Sequence, residues 1–395
     1  MIRRSALAAV VAAALVVTPQ ARAAETPSAG TWLAAQFVGG SHLLKGPDLV
    51  DPGLTADGVY ALAAAGVGRS TAAQAAAWLG EPDQMLALVG DGDAESYVGG
   101  LVKLALVAQT LGTDPHSFAG VDLLERLGPL QEESGRFRDR TDPEWDQTNA
   151  FTQALAIIVL KRAGESFEKP LAYQVSTQCP DGGFPIAFGQ ATCKSDVDGT
   201  AMVLQALLAA GEKSAAPKAL TWLVGQQQAD GGFPAATAGS NANSTGLAVG
   251  ALVAGERGAA ADKAVAYLKS LQVGCSGPDA QRGGVAYDAA GFELYPAIRA
   301  TTQAMLGLAR VSLADVSAAS ATPGVPAIDC AVTPPSSSAP PVSPVPAPAG
   351  PEAPVDPPLA VTGPDQAVPL TLFGSFAVLA GAALLFVSRR RKVGA

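Results

Sequence analysis

The pentapeptide DGGFP occurs at residues 181–185 and again at 230–234, and each copy follows a glutamine-rich helical segment. Related turns are SGRF at 134–137 and GGVAY at 283–287. Glycine permits the positive φ of a sharp turn, and the phenylalanine that follows can fold back onto a core. Because the turn recurs along the chain, we interpret DGGFP as the punctuation of a repeated structural unit and not as a catalytic motif.

Six almost wholly apolar segments alternate with six amphipathic ones. The apolar segments follow polar residues at Asp57, Glu95, Asp146, Asp198, Asn243 and Arg299. The amphipathic segments occupy 31–37, 71–79, 115–127, 167–178, 216–228 and 260–272. A helix that is apolar all round has to be buried, whereas one with a polar stripe lies outside. The pattern predicts an all-α fold, an α6/α6 toroid of six helical hairpins. All outer-to-inner loops then open at one end, which we call the mouth.

Both ends of the chain carry targeting features. Residues 1–23 combine a basic start, an apolar run and small residues near the cleavage point, which is typical of a secretory signal peptide. Residues 331–358 are rich in proline and predict a disordered stalk that spans the cell wall. Residues 370–387 are apolar and precede a basic tail, which predicts one transmembrane helix. The folded domain is therefore expected at 24–330.

A pentapeptide, LAVTG, stands just before this apolar segment, within residues 359–395. It consists of Leu359, Ala360, Val361, Thr362 and Gly363. The order of pentapeptide, apolar segment and basic tail resembles an actinobacterial LAxTG cell-wall sorting signal. The resemblance implies that a sortase cleaves after Thr362 and joins Thr362 to peptidoglycan; the alternative is a plain membrane anchor. We expect an extracellular, wall-anchored protein whose precursor has a C-terminal membrane segment.

The net charge limits which partners the protein can bind, and the cysteine content indicates the compartment in which it folds. The chain has a formal net charge of −9, and the two terminal segments contain seven of its basic residues but only one acidic residue, so the mature region is more acidic still. An acidic surface argues against nucleic-acid binding, and we expect a monomer. Four cysteines in an exported chain predict two disulfides. Their proximity in sequence favours Cys179–Cys193 and Cys275–Cys330 among the three pairings that four cysteines allow.

The repeats resemble a known superfamily. The QxxDGGF turns, the alternating helices and the segment DVDGTAMVLQAL at 196–207 are similar to the α/α toroids built from prenyltransferase/squalene oxidase repeats. That superfamily includes terpenoid cyclases, prenyltransferase β subunits, complement thioester domains and cobalamin carriers. The resemblance covers nearly all of residues 30–312 and implies a toroid, but this fold hosts unrelated activities.

Residue content argues against two activities of the superfamily. Prenyltransferases require a zinc site, and the chain has only His42 and His116, neither at metal-ligand spacing from a cysteine. We therefore expect no zinc and no required cofactor. The GCGEQ sequence of thioester domains is absent.

A third activity, class II terpene cyclisation, is harder to dismiss. Its proton donor is the middle acid of a DxDD motif, and DVDGT aligns Asp196 with the first acid, Asp198 with the donor and Gly199 with the missing third acid. Aromatic residues make up only 6% of the chain, whereas carbocation chemistry uses aromatic rings. Polar residues also precede the other apolar segments, so we interpret Asp198 as a helix N-cap.

Acidic residues cluster before three consecutive apolar segments. They form the pairs Asp93/Glu95, Glu144/Asp146 and Asp196/Asp198, with Asp91 beside the first. Such oxygens suit calcium, at Asp91, Asp93 and Glu95, or the hydroxyls of a sugar, while the alternative is a solvated rim. The same loops hold aromatic residues that form either stacking walls or packing, Trp145, Phe184, Phe233, Tyr287 and Tyr295. Arg299 either pairs with these acids or binds an anion.

The sequence thus predicts a wall-anchored toroid that binds a small molecule, a glycan or a partner at its mouth and catalyses no reaction. The alternative is a terpene cyclase-like or glycan-active extracellular enzyme that uses Asp196 and Asp198. A structural or adhesive surface protein is the third possibility.

Overall fold

Thirteen α-helices and two short antiparallel hairpins make up residues 25–330, the part of the chain that the computed structural model describes. The helices are α1 Glu25–Ala34, α2 Pro52–Ala65, α3 Arg69–Leu79, α4 Pro82–Val89, α5 Val98–Leu111, α6 Leu123–Leu127, α7 Ala150–Ala163, α8 Glu168–Ser176, α9 Val197–Ala210, α10 Ala216–Gly225, α11 Ala242–Ala254, α12 Gly258–Leu271 and α13 Leu294–Ala309. The hairpins pair β1 Leu44–Gly46 with β2 Leu49–Val50 and β3 Phe233–Pro234 with β4 Ser240–Asn241.

The described residues up to Ile328 form one compact unit, while Asp329 and Cys330 belong to another. The expected signal peptide, stalk, sorting pentapeptide and transmembrane segment lie outside the described residues. None of the helices within 25–330 is both long and apolar enough to cross a bilayer.

Six of the helices, α2, α5, α7, α9, α11 and α13, form an inner ring. Each contacts the next, and α13 contacts α2, so the ring closes. The outer helices α1, α3, α6, α8, α10 and α12 each pack against at least one inner helix. Inner-helix residues such as Leu104, Ile157 and Leu204 are fully buried, as an apolar surface on every side requires. The predicted all-α toroid is confirmed for the described part of the chain.

Two outer segments differ from the sequence prediction. The segment 115–127 is not one helix: it consists of a 3-10 turn at Pro115–Ser117 and the short helix α6, because Gly120 has a φ of +83° and Asp122 caps a new start. Helix α4 was not predicted; it begins at Pro82, whose fixed φ suits the first helical position.

The recurring turns join neighbouring repeats through a glycine. Gly135, Gly182, Gly231 and Gly283 have φ values of +89°, +97°, +88° and +88°. A Cβ added at Gly231 would lie 2.6 Å from the backbone oxygen of Lys263 in the next outer helix. The chain therefore passes so close to its neighbour that only glycine fits, and the scaffold interpretation of DGGFP is confirmed.

The glutamine of QxxDGGF completes this junction. Gln178 Nε2 donates to Gly182 O and to Ala215 O, both at 2.9 Å. Gln227 Nε2 bonds Gly231 O at 2.8 Å and Ala260 O at 2.9 Å in the same way. Each glutamine thus links its own turn to the following outer helix, which explains why glutamines precede the turns.

A segment that follows the last helix crosses the end of the ring opposite the mouth. We call residues 311–326 the strap. Arg162, near the C-terminal end of α7, donates to Leu313 O at 3.2 Å and Val316 O at 3.1 Å. Gln205 Oε1 accepts from Leu313 N at 2.9 Å, and Val316 is fully buried. The strap was not predicted, because its contacts lie far from it in sequence.

The disulfide prediction agrees with the structure. Cys179 and Cys193 are bonded, with their Cα atoms 5.5 Å apart. Cys275 and Cys330 are disulfide-bonded as well, and none of the chain's cysteines is free. Disulfides of this kind are compatible with an extracellular protein.

Candidate functional site

The inner helices begin at residues other than the predicted caps, and Asp198 is the main correction. The residue that caps α9 is Asp196, whose backbone is extended and whose Oδ1 accepts from Gly199 N at 2.9 Å. Asp198 is the second residue of the helix, where its side chain is free for another role. The interpretation of Asp198 as an N-cap was therefore wrong. The pattern hid this because acids stand at both positions.

A shared contact shows which residues of the repeats are equivalent. The backbone N–H of Phe184 donates to Thr200 Oγ1 at 2.8 Å, four residues after the α9 cap. Matching bonds join Phe233 N to Thr245 Oγ1 and Val285 N to Thr301 Oγ1, both at 2.9 Å. The residue two positions before each threonine occupies the same place at the mouth. These residues are Asp198, Asn243 and Arg299.

Asp198 is held in an environment that favours its protonated form. The residue is partly exposed, but its Oδ1 is shielded from solvent and has no hydrogen-bond partner among the described residues. Burial raises the pKa of Asp198 to about 7, while the Ser244 hydroxyl lowers it and the Asp196 charge raises it. The side chain is consequently about half protonated near pH 7 and mostly protonated below it.

Two uncharged residues, Asn243 and Tyr287, lie on the same side of the mouth as Asp198. We call this the neutral side. Asn243, at the equivalent position of α11, also has a shielded Oδ1, for which residues 25–330 offer no hydrogen-bond partner. Tyr287 lies near enough to Asp198 that the Asp198 charge, after burial, raises the pKa of its phenol. The neutral side therefore presents a carboxyl, an amide and a phenol ring, a set that suits an uncharged polar ligand.

The opposite side of the mouth is charged but balanced. Arg299 Nη2 lies 3.0 Å from Asp51 Oδ2, and Asp51 Oδ1 caps α2 through Leu54 N at 2.9 Å. Lys103 Nζ lies 2.5 Å from Asp57 Oδ1 in a second pair. Of the two roles expected for Arg299, pairing with an acid is the one that the structure shows. Its partner, however, is Asp51 and not a residue of the predicted acidic pairs.

Most of the predicted acids are used within their own loops. Asp91 Oδ1 accepts from Asp93 N and from Glu95 N, each at 2.9 Å, and Glu95 Oε2 accepts from Tyr97 OH at 2.7 Å. The described residues hold no group of three or more His, Cys, Asp or Glu arranged to bind a metal. The geometry accordingly gives no support to calcium at Asp91, Asp93 and Glu95.

In the second acidic pair, Asp146 forms ion pairs within the protein while Glu144 faces solvent. Asp146 is nearly buried and lies 2.8 Å from Arg136 Nη2 and 3.2 Å from Arg138 Nε. Its neighbour Glu144 is exposed. The expected convergence of acids from three repeats on one ligand is therefore not what the structure shows.

The aromatic candidates divide between packing and surface. Phe184 and Phe233 are fully buried in the core, so of the two alternatives packing is confirmed for these residues and stacking walls are wrong. Their burial follows from the turn, which directs the ring inward. Trp145 is 42% exposed, and Tyr295 is partly buried against the core. Of the five aromatic candidates, Tyr287 is the one that the structure places beside Asp198.

The loop within the Cys179–Cys193 disulfide borders the mouth. Ile186 O accepts from Ala150 N, the first residue of α7, at 2.9 Å. A Cβ added at Gly199 would lie 3.1 Å from Pro185 O. The position of the third acid in a DxDD motif is thus crowded by this loop.

Sequence reasoning missed Ser244, Asp51 and Lys103. Asp51 precedes a proline that starts α2, which is a readable cap pattern. Lys103 is the one charged residue in the apolar segment 98–111, and that isolation marks it as a buried partner. No comparable sequence pattern identifies Ser244, because its effect is on the pKa of Asp198, a residue of the neighbouring helix α9.

No protein-family model matches this chain, and no curated protein does. Solved structures do resemble it. A protein from Actinoplanes is 18% identical with a TM-score of 0.53, over 73% of this chain and 99% of its own. Type II terpene cyclase MstE from Scytonema, in its apo form, is 15% identical with a TM-score of 0.53, over 73% and 98%. An α-amylase from Clostridium perfringens is 13% identical with a TM-score of 0.52, over 74% and 99%.

These likenesses establish the fold, which is the terpene cyclase-like α toroid. At such low identity they do not show which reaction this chain catalyses or whether it catalyses one. The fold itself hosts unrelated activities, since one of these structures is a terpene cyclase and another an α-amylase. The function has to be argued from the residues at the mouth.

Proposed function

We propose that this chain is an extracellular toroid that binds an uncharged, hydroxyl-bearing small molecule or glycan at its mouth and catalyses no reaction. The single observation that carries the proposal is the Asp198 carboxyl, whose shielded Oδ1 has no partner among the described residues. A buried polar atom without a partner costs free energy, so a ligand hydroxyl that reaches Oδ1 through a rotation of the partly exposed Asp198 side chain supplies the missing bond and binds favourably.

The chemistry of the ligand follows from the groups that it meets. Asp198 keeps its proton to about pH 7, so it donates through O–H. Asn243 Oδ1, which also lacks a partner, needs a donor. A hydroxyl group both accepts and donates, and it therefore satisfies both residues. A carboxylate has no hydrogen to donate to Asn243, and an anion of either kind, carboxylate or phosphate, finds the cations Arg299 and Lys103 already paired.

Native mass spectrometry of the protein purified from its own host tests this proposal. We expect a bound ligand in the wild type and in Asp198→Asn, because an amide also offers a donor and an acceptor, and loss of the ligand in Asp198→Ala. Binding to the wild type should weaken above about pH 7, while binding to Asp198→Asn should not. A ligand that remains in Asp198→Ala would place the binding site elsewhere.

Proton donation by Asp198 is the second candidate function. The observation that favours it is the proton that Asp198 holds at the position of the cyclase donor, on a fold shared with a type II terpene cyclase. In this reaction the carboxyl would protonate an alkene and leave a carboxylate. Incubation with squalene or geranylgeranyl diphosphate tests it, since Asp198→Asn should abolish any cyclised product while the fold stays intact.

The anchoring arrangement remains part of the proposal. We propose export by the signal peptide 1–23, a folded domain at 24–330, a stalk at 331–358 and transfer of Thr362 to peptidoglycan by a sortase. The order of these segments along the chain supports it. In this arrangement the toroid is a monomer presented outside the cell, where glycans are abundant ligands.

A further inference from the structure

Exposed apolar side chains are concentrated at the mouth. Large ones scattered singly are normal on a protein surface, whereas a concentration of them marks a binding surface. Within the described residues, all of the exposed large apolar side chains except Val325 lie between an outer helix and the next inner helix, or at the start of an inner helix. They are Val38, Leu49, Val50, Leu86, Trp145 and Leu294.

Trp145 is the largest of these side chains, and it differs from the other three tryptophans of the chain. Trp32 is buried, Trp78 stacks on a histidine ring at a centroid distance of 4.9 Å, and the indole N–H of Trp222 bonds a carboxylate at 3.0 Å. The Trp145 side chain is 42% exposed, and its indole forms no hydrogen bond or ring contact within residues 25–330. Tryptophan is highly buried on average, so a free indole at the mouth points to a ligand.

The turn that carries Trp145 is fixed by several hydrogen bonds. Trp145 N donates to Asp142 O at 2.8 Å. The next residue, Asp146, accepts from the Thr148 hydroxyl at 2.7 Å and lies 2.8 Å from Arg136 Nη2. Asp146, which was predicted as a ligand contact, thus holds the backbone beneath the indole. A platform that is already fixed loses little conformational freedom when a ligand binds.

The groups around the indole indicate the kind of ligand. Asp142, Glu144 and Gln147 are exposed, and their side-chain oxygens accept hydrogen bonds from hydroxyls. One face of a pyranose ring consists of C–H bonds, which suit the negative face of an indole, and the edge of the ring carries hydroxyls. An organic cation also stacks on indole rings. Arg136 and Arg138, however, lie behind the same turn at Asp146, and their charges oppose a cation there.

We propose that Trp145 is the platform on which a sugar ring of the ligand stacks, and that the ligand at the mouth is a neutral glycan. The turn leads into α7, which packs against α9, so Trp145 and Asp198 belong to neighbouring repeats. A chain of linked sugars at the mouth contacts both. The proposal rests on the binding function proposed above, and it narrows the ligand from any uncharged, hydroxyl-bearing molecule to a glycan.

Binding of the full-length protein to immobilised glycans tests the proposal. The probes are neutral oligomers of glucose, N-acetylglucosamine, mannose and galactose, with oligogalacturonate as the anionic counterpart. The wild type should bind a neutral probe and not oligogalacturonate, which Asp142 and Glu144 repel. Trp145→Ala should raise the Kd for that probe about tenfold, and Trp145→Phe by less, because a smaller ring remains. The bound glycan should also protect the wild-type fluorescence from quenching by acrylamide, but not the fluorescence of Trp145→Phe.

Leu49→Ala is the matched control, because it removes an apolar side chain that is 55% exposed at another part of the mouth. It should leave the Kd unchanged. An unchanged Kd in Trp145→Ala, or no binding of any neutral probe, would overturn the stacking role, as would protection from acrylamide by choline and by no sugar. If Trp145→Ala weakens binding and Asp198→Ala does not, the Asp198 site fails and the platform stands. The reverse result keeps the Asp198 site and removes the platform.

Discussion

Replacement of Asp198 by asparagine should change how stability depends on pH. The pKa of Asp198 is raised to about 7 in the folded protein, whereas an aspartate in the unfolded chain titrates near pH 3.9. Between these values the folded state binds the proton more tightly, so the free energy of unfolding falls as the pH rises. Below pH 4 both states are protonated and the penalty is absent; above pH 7 it is complete.

The size of the effect follows from the difference between the two pKa values. About three units at 1.36 kcal/mol each give roughly 4 kcal/mol, as an upper limit because the side chain is partly exposed. About 2 kcal/mol of this should appear between about pH 5.5 and pH 8.5, where an acidic protein stays soluble. The asparagine variant has no such titration, so it should gain stability relative to the wild type across this range.

Thermal melts of both proteins across the range provide the measurement. Other carboxyls cancel in the comparison, because both proteins contain them. At roughly 2 °C per kcal/mol, the gap in melting temperature should widen by about 4 °C in favour of Asp198→Asn. Asp93→Asn, at an exposed loop position, is the control and should give a constant gap. A constant gap for Asp198→Asn as well would refute the assignment of a raised pKa.

Three further outcomes follow from the fold and the anchor. Gly231→Ala should lower the free energy of unfolding by clearly more than the roughly 1–2 kcal/mol expected for positive φ alone in Gly189→Ala, because its Cβ would lie 2.6 Å from Lys263 O while Gly189 faces open space. Urea unfolding of both variants measures this. Arg162→Lys loses the planar donor group that bonds several strap carbonyls, so limited proteolysis should cut the strap faster. Thr362→Ala should leave the protein in the membrane fraction and remove it from the muramidase-released wall fraction.

Each of these has an outcome that contradicts it. Equal costs for the two alanine variants would show that the turn does not pack tightly against the next helix. Unchanged cleavage of the strap would mean that other contacts hold it. Unaltered release from the wall would reduce LAVTG to a chance pentapeptide.

The ring was readable from the sequence because its determinants are local and repeated. An inner helix needs apolar residues on every side, and a turn at positive φ needs glycine, so both requirements appear in each repeat. The strap is different. Arg162 bonds carbonyls about 150 positions away, and a carbonyl acceptor leaves no trace in residue type. A polar residue near the end of an apolar helix can equally face solvent, so the presence of Arg162 did not predict a strap.

The site was harder to predict because neighbouring residues of the same type have different structural roles. Asp196 and Asp198 are both acids at the start of α9, but one caps the helix and the other is shielded without a partner. Only the backbone geometry tells them apart. For Phe184 the sequence left stacking and packing open for a related reason, since a loop aromatic residue can point to either side; its burial decides for packing. Ser244 depends on the register between α9 and α11, which no local pattern encodes.

Ligand binding and proton donation make opposite demands on Asp198. Protonation of an alkene needs a strong acid, and hence neighbours that stabilise the carboxylate. Here the Ser244 hydroxyl is the stabilising neighbour, while burial and the Asp196 charge act against the carboxylate. The cations of the mouth contribute little, because Arg299 is paired with Asp51 and Lys103 with Asp57. These surroundings retain the proton, as a hydrogen-bond donor to a bound ligand requires, and they weaken the carboxyl as an acid. The balance of charges at the mouth therefore favours binding over cyclisation.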